Sequence, residues 1–117
     1  MSSDPKTILQ QANAAVAAGD NEGFLAFCTD DVTWHFIGER TITGKDALRR
    51  YLDETYIEPP DFNVTDELVD GDTLVAIGDI AIADAAGTKT RSSYCDVWRL
   101  RDGKLAELRA YVVPDPA

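Results

Sequence analysis

Apolar residues recur along this chain at two spacings. In the first half, Ile8, Leu9, Ala12, Ala15 and Val16 fall three and four apart, which puts them on one face of a helix. Ser3 or Asp4 can cap that helix, and Pro5 sits at its first position, where a missing N–H costs no hydrogen bond. Gly19 stops it, and Asp20 caps a short second helix from Asn21 to Cys28 presenting Phe24, Leu25, Phe27 and Cys28. Thr29-Asp30-Asp31 then reads as a turn. A third helical stripe, Ala47, Leu48, Tyr51, Leu52 and Thr55, begins at Thr43 or Gly44 and runs to about Tyr56, before Pro59-Pro60.

Elsewhere the period is two. Val32 to Ile37 predicts a strand with Trp34 and Phe36 on one face and Thr33, His35 and Ile37 on the other. Gly38 to Gly44 is a loop or a very short strand. Phe62 to Val69 and Thr73 to Ala83 predict two more, with a turn at Asp70-Gly71-Asp72; Gly78 marks a bulge or bend in the second. The clearest signal is Arg91 to Val113, two alternating runs joined at Asp102-Gly103. Asp-Gly accepts positive φ at both central positions of a two-residue turn, so this stretch predicts a hairpin. Helices first and a strand meander after them imply one α+β domain over residues 1–117.

Composition narrows the function. Twenty-one acidic residues against 11 basic give a formal charge of −10, and no basic run occurs, which argues against a nucleic-acid surface. No apolar run reaches membrane-spanning length, and the N-terminus lacks a signal-peptide pattern, so a cytoplasmic protein is expected. Cys28 and Cys95 sit far apart inside apolar segments and read as small buried thiols. One histidine and no cysteine cluster supply too few ligands for a metal, and no glycine-rich phosphate loop or nucleophile–base pair is visible, so no cofactor is expected.

The residue with most chemical promise is Asp96. It shares a strand face with Tyr94 and Trp98, so its carboxyl is expected to be partly desolvated, which raises its pKa toward neutrality. The plainer reading is a strand aspartate bonded to a backbone N–H or an arginine, or simply solvated at a strand end. His35 alternates with Trp34 and Phe36 and should face away from any cavity they line. Arg99, Arg101, Glu107 and Arg109 are expected to pair across the outer face.

Two stretches carry a resemblance. GDNEGFLAFCTDDVTWHFIGE combines an Ala-Gly-Asp break, a Phe-rich second helix, Asp-Asp-Val and a strand, followed by Gly and Ala-Leu opening a third helix; CDVWRLRDGKLAEL forms the closing hairpin. This pattern resembles bacterial ketosteroid isomerases and their SnoaL-like polyketide cyclase relatives, within the nuclear-transport-factor-2-like superfamily. The resemblance covers nearly the whole chain. It implies a cone-shaped, cystatin-like α+β barrel: a strongly curved, mostly antiparallel sheet with three helices enclosing a pocket, usually in a homodimer.

The resemblance also says which chemistry is present. The isomerases' protonated oxyanion-hole aspartate corresponds to Asp96, but their base corresponds to Phe36 and their helix-borne tyrosine to Ala12. The final acid of many cyclases is missing near Val113. If the long strand aligns without a gap, Asp79, Ala81 and Ala83 point into the cavity. Asp79 would then form an acid pair with Asp96, an arrangement comparable to limonene-epoxide-hydrolase-like relatives, although Tyr94 replaces the arginine expected there. If Gly78 bulges, Asp79 faces solvent instead. Asp96, Asp79 and Tyr94 are thus the candidate catalytic groups. Trp34, Phe36, Tyr51, Trp98, Ala110 and Val112 are the candidate walls of a site for a small hydrophobic or aromatic molecule. The resemblance implies a cofactor-independent acid–base enzyme, with isomerisation, cyclisation, dehydration and epoxide hydrolysis all open. The alternative is a non-catalytic ligand-binding or dimerisation module.

Overall fold

A computed structural model describes residues 4–116. The elements are α1 (Pro5–Ala17), α2 (Asn21–Leu25), β1 (Cys28–Phe36), β2 (Arg40–Thr43), α3 (Lys45–Thr55), β3 (Asp61–Asp70), β4 (Thr73–Ala83), β5 (Lys89–Arg101) and β6 (Lys104–Pro114). The six strands form one curved, open sheet in the order β2-β1-β6-β5-β4-β3. Every neighbouring pair is antiparallel except β1 with β6, whose connection runs through the rest of the fold. The α+β class and the curved sheet are as expected.

Local sequence explains most of the boundaries. Asp4 caps α1 by accepting from the Lys6 N–H, and Asp20 caps α2 by accepting from the Gly23 N–H at 2.9 Å. Ser3 lies outside the described residues. At the β5–β6 turn Asp102 has φ 54° and Gly103 φ 76°, the left-handed pair that the Asp-Gly signal predicts. The Gly38–Gly44 stretch contains a four-residue strand, β2.

One expectation fails at β1. Thr29-Asp30-Asp31 is not a turn after α2 but part of the strand, which begins at Cys28. Cys28 pairs with Leu105 and Thr33 with Glu107, so β1 carries extra residues against β6. That bulge absorbs the polar run, and Asp31 accepts from Arg101 at the far end of β5.

The core lies between the helices and the concave sheet face. Leu9, Leu25, Leu48, Leu52, Leu74 and Leu105 are almost completely buried there. Register defines the rungs of that face: Trp34, Leu108, Trp98 and Leu74 lie abreast, then Phe36, Ala110, Asp96 and Ala76, then Val112, Tyr94, Gly78 and Val64. Successive rungs on one strand are about 6.6 Å apart. Side chains from all three rungs line a cavity.

Candidate active site

The cavity has a volume of about 230 Å³ and is enclosed by the sheet's concave face and the helices. From α1 it takes Leu9, Asn13 and Val16, one helical face. Its floor is aromatic. Trp34 makes edge-to-face contacts with Phe24 at 5.8 Å, Trp98 at 5.9 Å, Phe36 at 6.0 Å and Tyr51 at 6.1 Å between centroids. These rings enclose the Trp34 indole N–H, which has no acceptor among the described residues. Phe62, Ile80 and Ile82 line the cavity on the β3–β4 side.

Trp34, Phe36, Tyr51, Trp98, Ala110 and Val112 line this cavity, as do Asp96 and Tyr94. Both cross-strand neighbours of Asp96 are small, Ala110 on β6 and Ala76 on β4. Space therefore opens on either side of the carboxyl. Asp96 accepts no hydrogen bond and forms no ion pair among the described residues. Burial alone lifts its pKa from 3.8 to about 7. Among the described residues Asp96 has neither a backbone nor an arginine partner, and its side chain is partly buried.

Tyr94 lies one rung further along β5. Burial, reinforced by the charges of Asp96 and Asp79, pushes its pKa up to about 12, so it stays a hydroxyl donor. Tyr56, just beyond the end of α3, is pushed still further up by burial and by Tyr51, Asp96 and Tyr94. Two phenols that keep their protons and one carboxyl that is about half-protonated at neutral pH thus share one largely apolar cavity. Such an arrangement can donate hydrogen bonds to an oxygen on which negative charge develops.

Asp79 does not belong to this group. The residues of β4 that line the cavity are Ala76, Ile80 and Ile82, and Asp79 lies on the opposite face, 45% exposed and 3.9 Å from Arg91. Ala81 and Ala83 share its face and also do not line the cavity. The reason is register: Ala76 pairs with Asp96, and cross-strand partners share a face, so even-numbered residues of β4 point inward. The bulge is on the neighbouring strand. Val64 pairs with Gly78 and Asp66 with Ile77, which leaves Thr65 as the extra residue of β3.

Twelve lining groups were not singled out from the sequence; eight are apolar residues of helices or strands, and the other four are Asn13, Glu39, Tyr56 and Pro60. Asn13 lies one turn from Leu9 at the edge of the apolar stripe, which was a usable signal. Glu39 follows Gly38, whose φ of 83° makes the β1–β2 turn, and only the turn geometry brings it to the mouth. Beside it the Arg40 guanidinium sits 5.1 Å from the centre of the Tyr51 ring.

Outside the cavity, His35 faces the opposite side of the sheet as expected, within 3.1 Å of the Thr41 hydroxyl and 3.2 Å of Glu107. Arg99 lies 3.8 Å from Glu107, and Arg101 bonds Asp31 rather than a hairpin partner. Cys28 is buried and its thiol is pushed up to about 12 by that burial, whereas Cys95 is only half-buried on the outer face. Among the described residues no cluster of three His, Cys, Asp or Glu side chains could hold a metal ion, and no helix is long and apolar enough to cross a membrane.

The same architecture occurs in solved structures of low sequence identity. A Δ5-3-ketosteroid isomerase from Mycobacterium sp. superposes with a TM-score of 0.81 at 18% identity, covering 93% of this chain and 96% of that one. Rv0760c from Mycobacterium tuberculosis, in complex with estradiol-17β-hemisuccinate, gives 0.78 at 19% identity and 90% coverage of each chain. SalBIII, described as an epoxide hydrolase/cyclase-like enzyme in pyran ring formation in the polyether salinomycin, gives 0.84 at 19%, covering 92% and 89%. No functionally curated protein matches the chain in sequence. The family model for the SnoaL-like domain matches residues 9–108, most of the chain and nearly all of the cavity, and the protein belongs to that family.

Proposed function

We propose that this protein is a cofactor-independent acid–base enzyme acting on a small, largely apolar molecule. The observation that carries this reading is Asp96, an unpartnered carboxyl inside an aromatic cavity, with a pKa of about 7. Such a group is close to half-protonated at neutral pH, where a general acid or base is most effective. Asp96 would donate a proton or hydrogen bond to a developing enolate, alkoxide or ether oxygen, with Tyr94 as a second donor. Glu39, the other carboxyl lining the cavity, is the candidate proton acceptor in place of Asp79. Isomerisation, cyclisation, dehydration and epoxide opening all fit this set. Relatives of the fold include an isomerase and an epoxide hydrolase/cyclase-like enzyme, which supports the class and not one reaction.

The test is turnover of enolisable ketones and epoxides by the wild type and by Asp96→Asn. If Asp96 is the acid, the variant loses about 10²- to 10³-fold in kcat on any substrate found. Equal turnover by the two proteins sinks the role.

A second reading is a ligand-binding module without chemistry. It is favoured by Phe36 and Ala12, which stand at the resembling isomerases' base and tyrosine positions; Phe36 is a cavity wall and Ala12 is packed in the core. Under it, Asp96→Asn changes affinity and no turnover exists to lose.

In either reading we place the protein in the cytoplasm, consistent with two free cysteines, and as a homodimer. The outer sheet face presents Leu68, Ile77, Tyr111 and Val113, all at least one-third exposed. Arg91, Arg99 and Arg109 alternate around them with Asp66, Asp79 and Glu107, so two copies related by a two-fold axis can match opposite charges. Light scattering at micromolar concentration should give twice the mass of 12.8 kDa; a monomer would remove the dimer.

A further inference from the structure

The cavity's charge pattern is one-sided. Among its lining residues there is no Lys, Arg or His, while Asp96 and Glu39 contribute carboxyls. No protein cation neutralises Asp96, and eight of the other eighteen lining residues are aromatic, the rest mostly aliphatic. Ring faces carry the negative part of an aromatic quadrupole and attract cations, increasingly so where water is excluded. The structure already contains one instance: the Arg40 guanidinium lies over Tyr51, whose ring is also a cavity wall. A carboxyl with no partner, sharing a cavity with eight aromatic side chains, is a combination that recognises an ammonium group bearing apolar substituents. The same site disfavours anions, because a carboxylate or phosphate inside it would meet two acids and no cationic lining residue.

We propose that the cavity also binds lipophilic cations, aryl- or alkylammonium compounds, with the ammonium held between Asp96 and the faces of Trp34, Trp98 and Tyr51. This ligand class lies beyond the neutral substrates of the proposed reaction, and it does not depend on catalysis. It uses the other protonation state of the same group: protonated Asp96 donates to a neutral oxygen, and ionised Asp96 pairs with a cation. The two ligand classes therefore compete for one cavity with opposite pH preferences. The titratable groups facing Asp96 are Tyr94 from its own strand, Tyr51 from α3, Tyr56 after α3 and Glu39 in the β1–β2 turn. α1 contributes the neutral Asn13, and β4 and β6 contribute only apolar side chains there. The three tyrosines are all raised above their ordinary values and stay neutral below pH 9, so the profile is assigned to Asp96.

The probes are phenyltrimethylammonium and its neutral isostere tert-butylbenzene, titrated into the full-length protein at 0.15 M salt. Binding is read from the fluorescence of the chain's two tryptophans, both of which line the cavity. Cation affinity should rise about tenfold or more between pH 5.5 and 8.5, following ionisation of a group with a pKa of about 7. The neutral isostere should bind no more tightly at pH 8.5 than at 5.5. Asp96→Asn should abolish the rise and leave the isostere bound; Glu39→Gln should keep it. A flat cation profile, a rise that persists in Asp96→Asn or disappears in Glu39→Gln, or a cation that binds more weakly than the isostere at pH 8.5 would each overturn the proposal. The wild-type comparison of the two probes remains decisive even if a variant does not fold. Its outcome is also independent of whether any substrate is turned over.

Discussion

Gly78 and Tyr94 are cross-strand partners, and the tyrosine occupies the space a side chain at position 78 would need. A Cβ built on Gly78 would lie 2.8 Å from the Tyr94 hydroxyl oxygen and 2.0 Å from the Asn63 carbonyl oxygen. The glycine lets the phenol lie across β4 and lets the bulged β3 approach closely. It thereby helps set where one of the cavity's donors points.

Gly78→Ala should therefore destabilise the fold by about 1–3 kcal/mol, the usual cost of forcing extra atoms into a packed site. Urea denaturation measures the loss. Combining it with Tyr94→Phe should recover little, because the Asn63 backbone contact remains.

The pH dependence of stability follows from Asp96. Its pKa in the folded protein, about 7, lies above its ordinary value of 3.8, so between those values the folded state holds a proton that the unfolded state has released. Stability contributed by the group is complete below pH 3.8 and is lost as pH rises toward 7. At about 1.4 kcal/mol per pH unit the gap is worth up to about 4 kcal/mol. Asp96→Asn removes that dependence. Its stability relative to wild type should improve between pH 4 and 7.5, as read from denaturation at both pH values; a constant difference would show that Asp96 titrates normally.

Ala110 and Ala76 hold open the space on either side of Asp96. Ala110→Leu should fill it with little loss of stability, because the added atoms enter a cavity and not a packed core. A small apolar fluorophore such as N-phenyl-1-naphthylamine should lose its binding at least tenfold. Unchanged binding would mean that the ligand occupies a different part of the cavity.

Asp79→Asn should do almost nothing. The side chain is 45% exposed and its Arg91 partner is 3.9 Å away, a surface pair worth less than about 1 kcal/mol. Melting temperature, cavity binding and any turnover should match wild type. A large loss of activity would return Asp79 to the chemistry.

The sequence made some of this visible and hid the rest for identifiable reasons. Asp102-Gly103 announced its turn because few residues other than Gly, Asn and Asp tolerate positive φ. Trp34, Phe36, Asp96 and Trp98 were legible as a lining because strand alternation ties each to its neighbours. The face of Asp79 stayed open because β4 is apolar on both faces, so its own pattern could not say which face turns inward. Only the β4–β5 connection settles that. Asp84 to Thr88 is five residues long, and Asp84 Oδ1 accepts from the N–H groups of Ala86 and Thr88 at 2.9 Å, which pairs 83 with 89 and hence 76 with 96. Tyr56 was invisible for another reason: it follows the helix end, where neither period applies. Glu39 and Pro60 likewise lie in connections whose course depends on the folded sheet.

The most direct test of the account is the NMR titration of the Asp96 side-chain carboxyl carbon in the unliganded protein, with and without Asp79→Asn. A partly buried, unpartnered acid in an apolar cavity predicts a midpoint near 7 that does not move when Asp79 is changed. A midpoint in the ordinary carboxylate range would mean that water or a partner reaches Asp96 freely, and would contradict its role as the cavity's acid.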